Sequence, residues 1–341
     1  VRIAVVPGDG IGAEVVAESL RVLDDIIKRF DADLDYDVFD WGAQRWLDDG
    51  VGLPDGAVER LRRDYQAVFL GALGDPRIPD MAHGRQILLG LRRGLDLSVN
   101  HRPLELPHGP LDIYRENTQG LYVGIGGVVS RSGTVAVAVD ECVYLRDTVE
   151  RFVRFSLRDL ARRGRRRVTL VHKANAVPNT GRLWQEVFWY ELQRFPELTG
   201  SEEYVDAFCY HLVRDASPYQ GVLADNLFGD IISDLGAALA GGLGLAPSAS
   251  LSPETGLGLF EPVHGSAPDI AGTGSANPYA ALMSLVLLLE HLDLTGPGRL
   301  LRAALLAAAR TPAATPDVGG SGTTRTFTDE VLRRIRERSL E

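Results

Sequence analysis

The sequence predicts an α/β protein with two domains, and three observations carry that prediction. Residues 3–6 form a short apolar strand pattern, Gly8-Asp9-Gly10-Ile11-Gly12 follows as a turn, and Val15, Val16, Leu20, Leu23 and Ile27 then recur at helical spacing. Apolar runs at 67–72 and 168–171 alternate with further helical patterns, the layout of strands covered by helices. The chain has 341 residues and is 45% hydrophobic, more than one core usually holds.

Charge and composition exclude several classes. A formal net charge of -10 argues against a nucleic-acid binder, which needs a basic face. The two cysteines, Cys142 and Cys209, are too few for a disulfide scaffold and fit a reducing, cytoplasmic setting. The first strand pattern is broken by Pro7 too early for a signal peptide, and the apolar run 280–290 is too short to span a membrane.

Taken in order, the next elements are a strand at 34–39, a helix around 58–61, the buried strand 67–72 and a proline-stiffened loop at 73–80. The glycines at 8–12 lack the full G-x-G-x-x-G spacing, so a tight strand-to-helix turn is the plainer reading than a phosphate cradle. Residues 95–99 read as a strand and 135–139 as an extended, alternating one. The helix at 151–160 ends in the basic run 162–167, expected to face solvent at a helix C-terminus. A helix at 183–195 and a short strand at 222–223 follow. Residues 246–252 read as a small-residue loop, and 260–272 as a non-periodic stretch with little core content. Helices are expected from Asn277 to Leu289, over 300–310, and over 328–335 with Thr328 as N-cap.

Chemistry concentrates in a few places. Asp230 and Asp234 are four apart, so on a helix they share a face and repel unless a cation lies between them. Oxygen ligands there suit Mg²⁺ or Mn²⁺, with two solvated surface acids as the alternative. Asp206 is a third candidate oxygen ligand. Arg92, Arg102 and Arg115 each follow an apolar patch, and three guanidinium groups suit a substrate with more than one carboxylate. Local acids such as Asp96, Asp112 and Glu116 are the competing partners. Lys173 directly follows a buried strand, where nearby positive charge would make it a usable base. Tyr122 lies in a glycine-dense turn as a structural aromatic or a proton donor. Gly265-Ser266-Ala267 offers backbone N–H groups to phosphate, and Asp269 could accept from ribose hydroxyls.

These motifs together resemble the metal-dependent decarboxylating β-hydroxyacid dehydrogenases: the isopropylmalate, isocitrate, homoisocitrate and tartrate enzymes. The resemblance runs from Pro7-Gly8-Asp9-Gly10-Ile11-Gly12 to Gly319-Gly320-Ser321-Gly322-Thr323-Thr324 and is most specific at 226–234 and 261–272. It implies the family's own two-domain α/β fold rather than a standard Rossmann domain. A discontinuous first domain, 1–97 plus 241–341, would carry most of the NAD site. Residues 98–240 would carry Lys173, the metal-ligand aspartates and the dimer interface.

The resemblance also implies roles. Arg92, Arg102 and Arg115 would hold the malate moiety, Tyr122 would be the acid and Lys173 the base. Asp206, Asp230 and Asp234 would bind Mg²⁺ or Mn²⁺, with Lys173 and Asp206 entering from the partner subunit of a homodimer. His264, Gly265, Ser266, Ala267, Asp269 and Asn277 would form the cofactor set, with Gly71 and Asn175 near the nicotinamide. Asp269, standing where NADP-using relatives carry lysine, implies NAD. Residues 86–89 would read the variable group of the substrate, and Leu88 and Leu89 are apolar, as in isopropylmalate enzymes. Three departures point instead to a tartrate- or malate-like enzyme, or to a specialised pathway: the motif Arg115-Glu116-Asn117-Thr118-Gln119-Gly120, Arg85, and His101 before Arg102. 3-Isopropylmalate is the leading substrate and tartrate or D-malate the alternative. A non-catalytic homologue, a regulatory subunit or an unrelated phosphate- or sugar-binding protein are the readings from other classes.

Overall fold

The computed structural model describes residues 1–337. Contacts divide the chain into two compact units: Val1–Leu97 with the described residues from Gly241 onward, and Ser98–Ala240. The first unit begins with β1 (Arg2–Gly8), α1 (Ile11–Phe30), β2 (Asp35–Val38), α2 (Ala43–Asp49), α3 (Ala57–Asp64), β3 (Ala67–Ala72) and α4 (Ala82–Gly94). The second unit follows as β4 (Val99–Leu106), β5 (Gly109–Glu116), β6 (Gly126–Arg131), β7 (Thr134–Asp140), α5 (Arg146–Arg162), β8 (Arg167–His172), α6 (Pro178–Leu192), β9 (Thr199–Tyr204), α7 (Val205–Arg214), β10 (Gly221–Ala224) and α8 (Asn226–Leu239). The chain then completes the first unit with β11 (Pro247–Leu251), β12 (Gly258–Pro262), α9 (Tyr279–His291), α10 (Thr295–Ala308) and α11 (Thr324–Glu337).

In the first unit the strands run β2-β1-β3-β12-β11, parallel except for the β11–β12 pair. Strand alternation feeds two cores. Ile3 and Val5 join α1, α9, α10 and α11 on one face, and Ala4 and Val6 join α3 and α4 on the other. Helix α9 is buried along nearly its whole length, which explains its almost uninterrupted apolar sequence.

In the second unit the order is β4-β5-β10-β8-β9, with β4–β5 antiparallel and the rest parallel. Parity on β4 and β5 sorts their side chains. Asn100, Arg102, Ile113 and Arg115 share one face, and His101, Asp112 and Tyr114 share the other. The pair β6–β7 forms a separate antiparallel hairpin, exposed at every residue.

Several expectations change in the fold. The strand expected at 95–99 begins at Val99, because Leu95 caps α4 and Asp96 turns with φ +51°. Arg102 therefore sits inside a strand rather than at an element end. The loop expected at 246–252 contains β11, and the stretch from 260 opens inside β12 with Phe260 buried. Burial on the sheet outweighs the weak strand preference of Pro, Ser and Ala there. Helix α2 gave no clear periodic signal, being only seven residues long. Thr328 lies inside α11, where its hydroxyl donates to Thr324 O at 2.9 Å. The cap is Thr323, whose Oγ1 accepts from Thr326 N (3.1 Å) while Thr326 Oγ1 accepts from Thr323 N (2.7 Å). The basic run 162–167 is only partly a solvated face, because Arg163 and Arg165 pair with Asp159 and Asp112.

Candidate functional site

Helix α8 follows β10 directly. Asp225 caps it, accepting the Phe228 N–H at 2.7 Å. Its buried face is made of small or polar residues, Asn226, Gly229, Ser233, Gly236 and Ala237, with Ile232. Ile231, beside Asp230, is 53% exposed. The reason lies on β5: a Cβ at Gly229 would meet Arg115 Cγ at 2.6 Å, so glycine lets the arginine cross beneath the helix.

Arg115 is buried and held by α8. Its Nε donates to Asn226 O at 2.9 Å, its Nη2 to Asn226 Oδ1 at 2.7 Å, and its Nη1 pairs with Asp230. Arg102 Nε donates to Asn100 Oδ1 (3.0 Å), and its Nη1 to Ser233 Oγ (2.6 Å) and Asp234 Oδ1 (3.0 Å). Tyr122 lies in a single 3₁₀ turn, its hydroxyl donating to Asp230 Oδ2 at 3.1 Å and its ring under the Arg115 guanidinium at 5.1 Å. The structure thus brings Arg102, Arg115, Tyr122, Asp230 and Asp234 together. Asn226 and Ser233 belong to the same cluster. Both stand within the aspartate segment, but only the β4 and β5 register reveals that they hold arginines.

Lys173 follows β8 and is ion-paired with Asp206 in the first turn of α7, with Tyr204 5.6 Å from its Nζ. Asp206 is 69% exposed in its side chain, and the Lys173 hydrogen bond holds its carboxyl below the usual range. Asn175 is exposed in the turn after Lys173. Among the described residues no three acids, histidines or cysteines converge as a metal cage. Asp230 and Asp234 remain a metal-competent pair: hard oxygen donors one helical turn apart, with side chains 36% and 54% exposed.

In the first unit, Arg92 stands in the last turn of α4, buried, with Nη2 3.3 Å from Glu261 Oε1 on β12. Leu88 and Leu89 are half-buried one turn earlier. Gln86 does not line this wall freely, because its Oε1 accepts from Gly52 N (2.6 Å) and Leu53 N (3.1 Å). Arg85 is exposed, 3.9 Å from Asp80.

The glycine turn is structural. Asp9 N donates to Ala72 O (2.7 Å) and Ile11 N to Ser266 O (2.8 Å), so these N–H groups are not offered to phosphate. A Cβ at Gly8 or Gly10 would overlap the Ala72 or Ser266 carbonyl. Asp9, which no sequence motif singles out, accepts from Ala43 N (2.7 Å) and Gly74 N (2.9 Å) and lies 2.9 Å from His83 Nε2. Gly71 is buried in β3, where a side chain would strike the Pro7 carbonyl.

The loop after β12 has features suited to a ligand. His264 Nε2 is buried with no hydrogen-bond partner among the described residues, and burial lowers the pKa of its ring. Space around Gly265 is open, Ala267 turns with φ +37°, and Asp269 is exposed. A non-glycine residue in that region costs about 1–2 kcal/mol, a strain that favours a function for the bend. Asn277 is fixed by Asp317, Nδ2 to Oδ2 at 3.0 Å.

His101 is a core residue. It is buried, stacks on Tyr114 with ring centroids 4.6 Å apart, and lies 2.7 Å from Asp112 Oδ1. Burial raises the Asp112 pKa, but the hydrogen bond from His101 and the charges of Arg163 and Arg165 outweigh it and bring it to about 2. The departure at 101 thus answers to packing on the face of β4 opposite Arg102. Glu116 and Gln119 likewise hold their turn: Glu116 accepts from Thr118 N (2.9 Å) and Gln119 N (2.8 Å), and Gln119 Oε1 accepts from Leu145 N (2.8 Å).

A family model described as isocitrate/isopropylmalate dehydrogenase matches residues 2–331. Fold, side-chain set and match together define a decarboxylating dehydrogenase, an oxidoreductase. A 3-isopropylmalate dehydrogenase of Thermobifida fusca is 44% identical over 306 residues, covering 86% of each chain. One from Bifidobacterium longum is 40% identical over 346 residues, covering 98% of this chain and 97% of its own. Among solved structures, isocitrate dehydrogenase from Methylococcus capsulatus superposes with a TM-score of 0.88 at 31% identity, covering 98% of this chain and 99% of its own. A β-decarboxylating dehydrogenase from Thermococcus kodakarensis gives 0.84 at 36% identity, covering 98% and 96%. The chain belongs to the isocitrate/isopropylmalate dehydrogenase family, and its fold is that family's two-part α/β type.

Proposed function

We propose that the protein oxidises and decarboxylates a 3-substituted malate, with 3-isopropylmalate as substrate, NAD as hydride acceptor and Mg²⁺ or Mn²⁺ as the metal. The observation that carries the substrate is the apolar pair Leu88 and Leu89 one turn before Arg92. Such a wall accepts an isopropyl group and offers a third carboxylate no partner. The names of the relatives support the same substrate. Tartrate and D-malate are the competing substrates. The motif that favoured them, Asn117 with Gln119, loses weight at Gln119, whose Oε1 accepts from Leu145 N.

The donor set fits a hard cation at Asp230 and Asp234, and the unpartnered His264 Nε2 beside an open Gly265 fits a cofactor. When bound, the metal supplies a Lewis acid at the C2 oxygen and the later enolate oxygen, and NAD supplies the hydride acceptor. In this reading Arg92, Arg102 and Arg115 take the carboxylates of the malate moiety. Lys173 accepts the C2 hydroxyl proton as hydride leaves C2. The ketone so formed is β to a carboxylate, which leaves as CO₂. Tyr122 then donates a proton to the carbon. Ser266, Ala267, Asp269 and Asn277 bind the adenosine side, and Asp269 repels a 2′-phosphate. Gly71 and Asn175 stand toward the nicotinamide.

The working unit in this reading is a homodimer in the cytoplasm, with Lys173 and Asp206 completing the partner's site. Exposed apolar surface in the second unit supports it. Val128, Val129, Val135 and Val137 on the hairpin are 52–64% exposed, as are Ile231, Tyr210 and Val213 at 53–57%. Among the described residues no helix is long and apolar enough to cross a membrane.

The test is NADH formation with Mn²⁺ or Mg²⁺ across 3-isopropylmalate, D-malate, the tartrates, isocitrate and homoisocitrate, compared by kcat/KM with NADP⁺ as control. A dominant rate on 3-isopropylmalate with NAD is expected. A dominant rate on tartrate or D-malate would overturn the substrate and leave the reaction class intact.

A further inference from the structure

The basic run 162–167 plays no part in the reaction proposed above. Its arginines divide between two tasks. Arg163 Nε folds back on Asp159 at 2.6 Å. Arg165 and Arg167 instead border a cavity of about 110 Å³, together with His108, Gly109, Ser217 and Gln220. This cavity lies at the entry ends of the parallel strands β5, β8 and β10. Arg115, Lys173 and Asp225 lie at the opposite, exit ends of the same strands.

The lining is cationic. Arg167 Nη2 donates to Ser217 O at 3.0 Å, and Arg167 has no ion pair among the described residues. Arg165 uses Nε on Asp112 (2.6 Å), which leaves the rest of its donor fork for another acceptor. Gln220 Oε1 accepts from Arg166 N (2.9 Å) and Arg167 N (3.1 Å), fixing the strand start from which Arg167 projects. Asp215 is a neighbouring acid, and its carboxylate is held by Ser217 N at 2.9 Å. Among the described residues the lining thus holds two arginines and a histidine and no acid; the two nearby acids are Asp112, which takes Arg165 Nε, and Asp215, which is held by Ser217 N. In a chain of net charge -10, anion capture has to be local, and this cavity supplies such a place.

We propose that this cavity is a subsite for a phosphate-type dianion, either inorganic phosphate or the terminal group of a small phosphomonoester. Guanidinium groups match tetrahedral oxyanions with paired N–H donors. The volume suits one such group rather than a nucleotide. An occupant shares Arg165 with Asp112, which lies on β5 three residues before Arg115.

The test uses the intact protein and isothermal titration with inorganic phosphate and with glycerol 3-phosphate, against chloride at matched ionic strength. Saturable binding is expected, weakened about tenfold or more in Arg167→Gln (roughly 1.4 kcal/mol), with unchanged NADH-forming kinetics in that variant. His108→Gln should weaken it in the same direction and serves if Arg167→Gln does not fold. Phosphate can also meet the substrate arginines, so titration is repeated in Arg102→Lys, where binding at this cavity should persist. Tighter binding of glycerol 3-phosphate than of phosphate would mark an ester as occupant, and equal binding the free anion. Binding that chloride reproduces, or that Arg102→Lys abolishes while Arg167→Gln leaves it intact, would overturn the proposal.

Discussion

Asp230 binds Tyr122 and Arg115 with different oxygens: Oδ2 accepts the Tyr122 hydroxyl at 3.1 Å, and Oδ1 takes the Arg115 guanidinium. In the proposed reaction this one carboxylate would orient the acid and a substrate arginine together. Tyr122→Phe keeps the ring over Arg115 and removes only the proton. We expect kcat to fall about 10²–10⁴-fold, the range for losing a general acid, with KM changing little. A fall in kcat/KM caused wholly by KM would mean that Tyr122 binds substrate and does not protonate it.

The aspartate pair predicts a metal effect on stability without any turnover. Mn²⁺ at about 100 times its dissociation constant should stabilise the folded protein by about 2.7 kcal/mol, read as a rise in Tm. Asp234→Asn should remove most of that rise while leaving the Tm without metal within a few degrees, because Asp234 is half exposed. An undiminished rise would place the metal elsewhere.

Substrate choice can be moved at Leu89. Leu89→Arg introduces a cation where the wall is apolar, so kcat/KM for 3-isopropylmalate should drop by about 10–200-fold and the rate on homoisocitrate should rise. Equal losses on both substrates would show that Leu89 supports α4 rather than reading the substituent.

Asp225 predicts a pH dependence. Burial, reinforced by the Glu116 charge, raises its pKa from 3.8 to about 6 despite the Phe228 N–H bond. The folded state then binds the proton more tightly than the unfolded state. Stability from this group is present below pH 3.8 and is lost as pH rises through 6, on the order of 2–3 kcal/mol in all. Asp225→Asn keeps an N-capping oxygen and removes the charge. Denaturant melts should show the variant gaining on the wild type between pH 4 and 7. A difference independent of pH would contradict the assignment.

His101 and Asp112 predict a purely structural loss. His101→Leu leaves the buried Asp112 with Arg165 alone, and an unsatisfied buried acceptor costs about 1–3 kcal/mol. The unfolding free energy from denaturant melts should fall by that amount while KM for the substrate changes little, since His101 lies on the face of β4 opposite Arg102.

Much of the site was readable before any fold. The four-residue spacing of Asp230 and Asp234 and the position of Lys173 after a buried strand are local facts, and they survive folding. His101 and Gln119 were not readable. As departures from a family pattern they point to the substrate, whereas in the structure they answer to Asp112 and to Leu145 and Thr148, none of which is their immediate neighbour in sequence.

The sequence by itself determined the α/β class, the helical spacing of Asp230 and Asp234, and the tight glycine turn. Each depends on periodicity or spacing over a few residues, which the chain carries whatever its environment. Tertiary structure alone decided which face of β4 and β5 each side chain takes, that Gly229 yields space to Arg115, that Ile231 points outward, and that residues 247–251 are a strand. Those outcomes depend on partners from distant segments. A small residue on α8 or a serine on β11 gains its place from what packs against it, and local preference is too weak to decide against that burial.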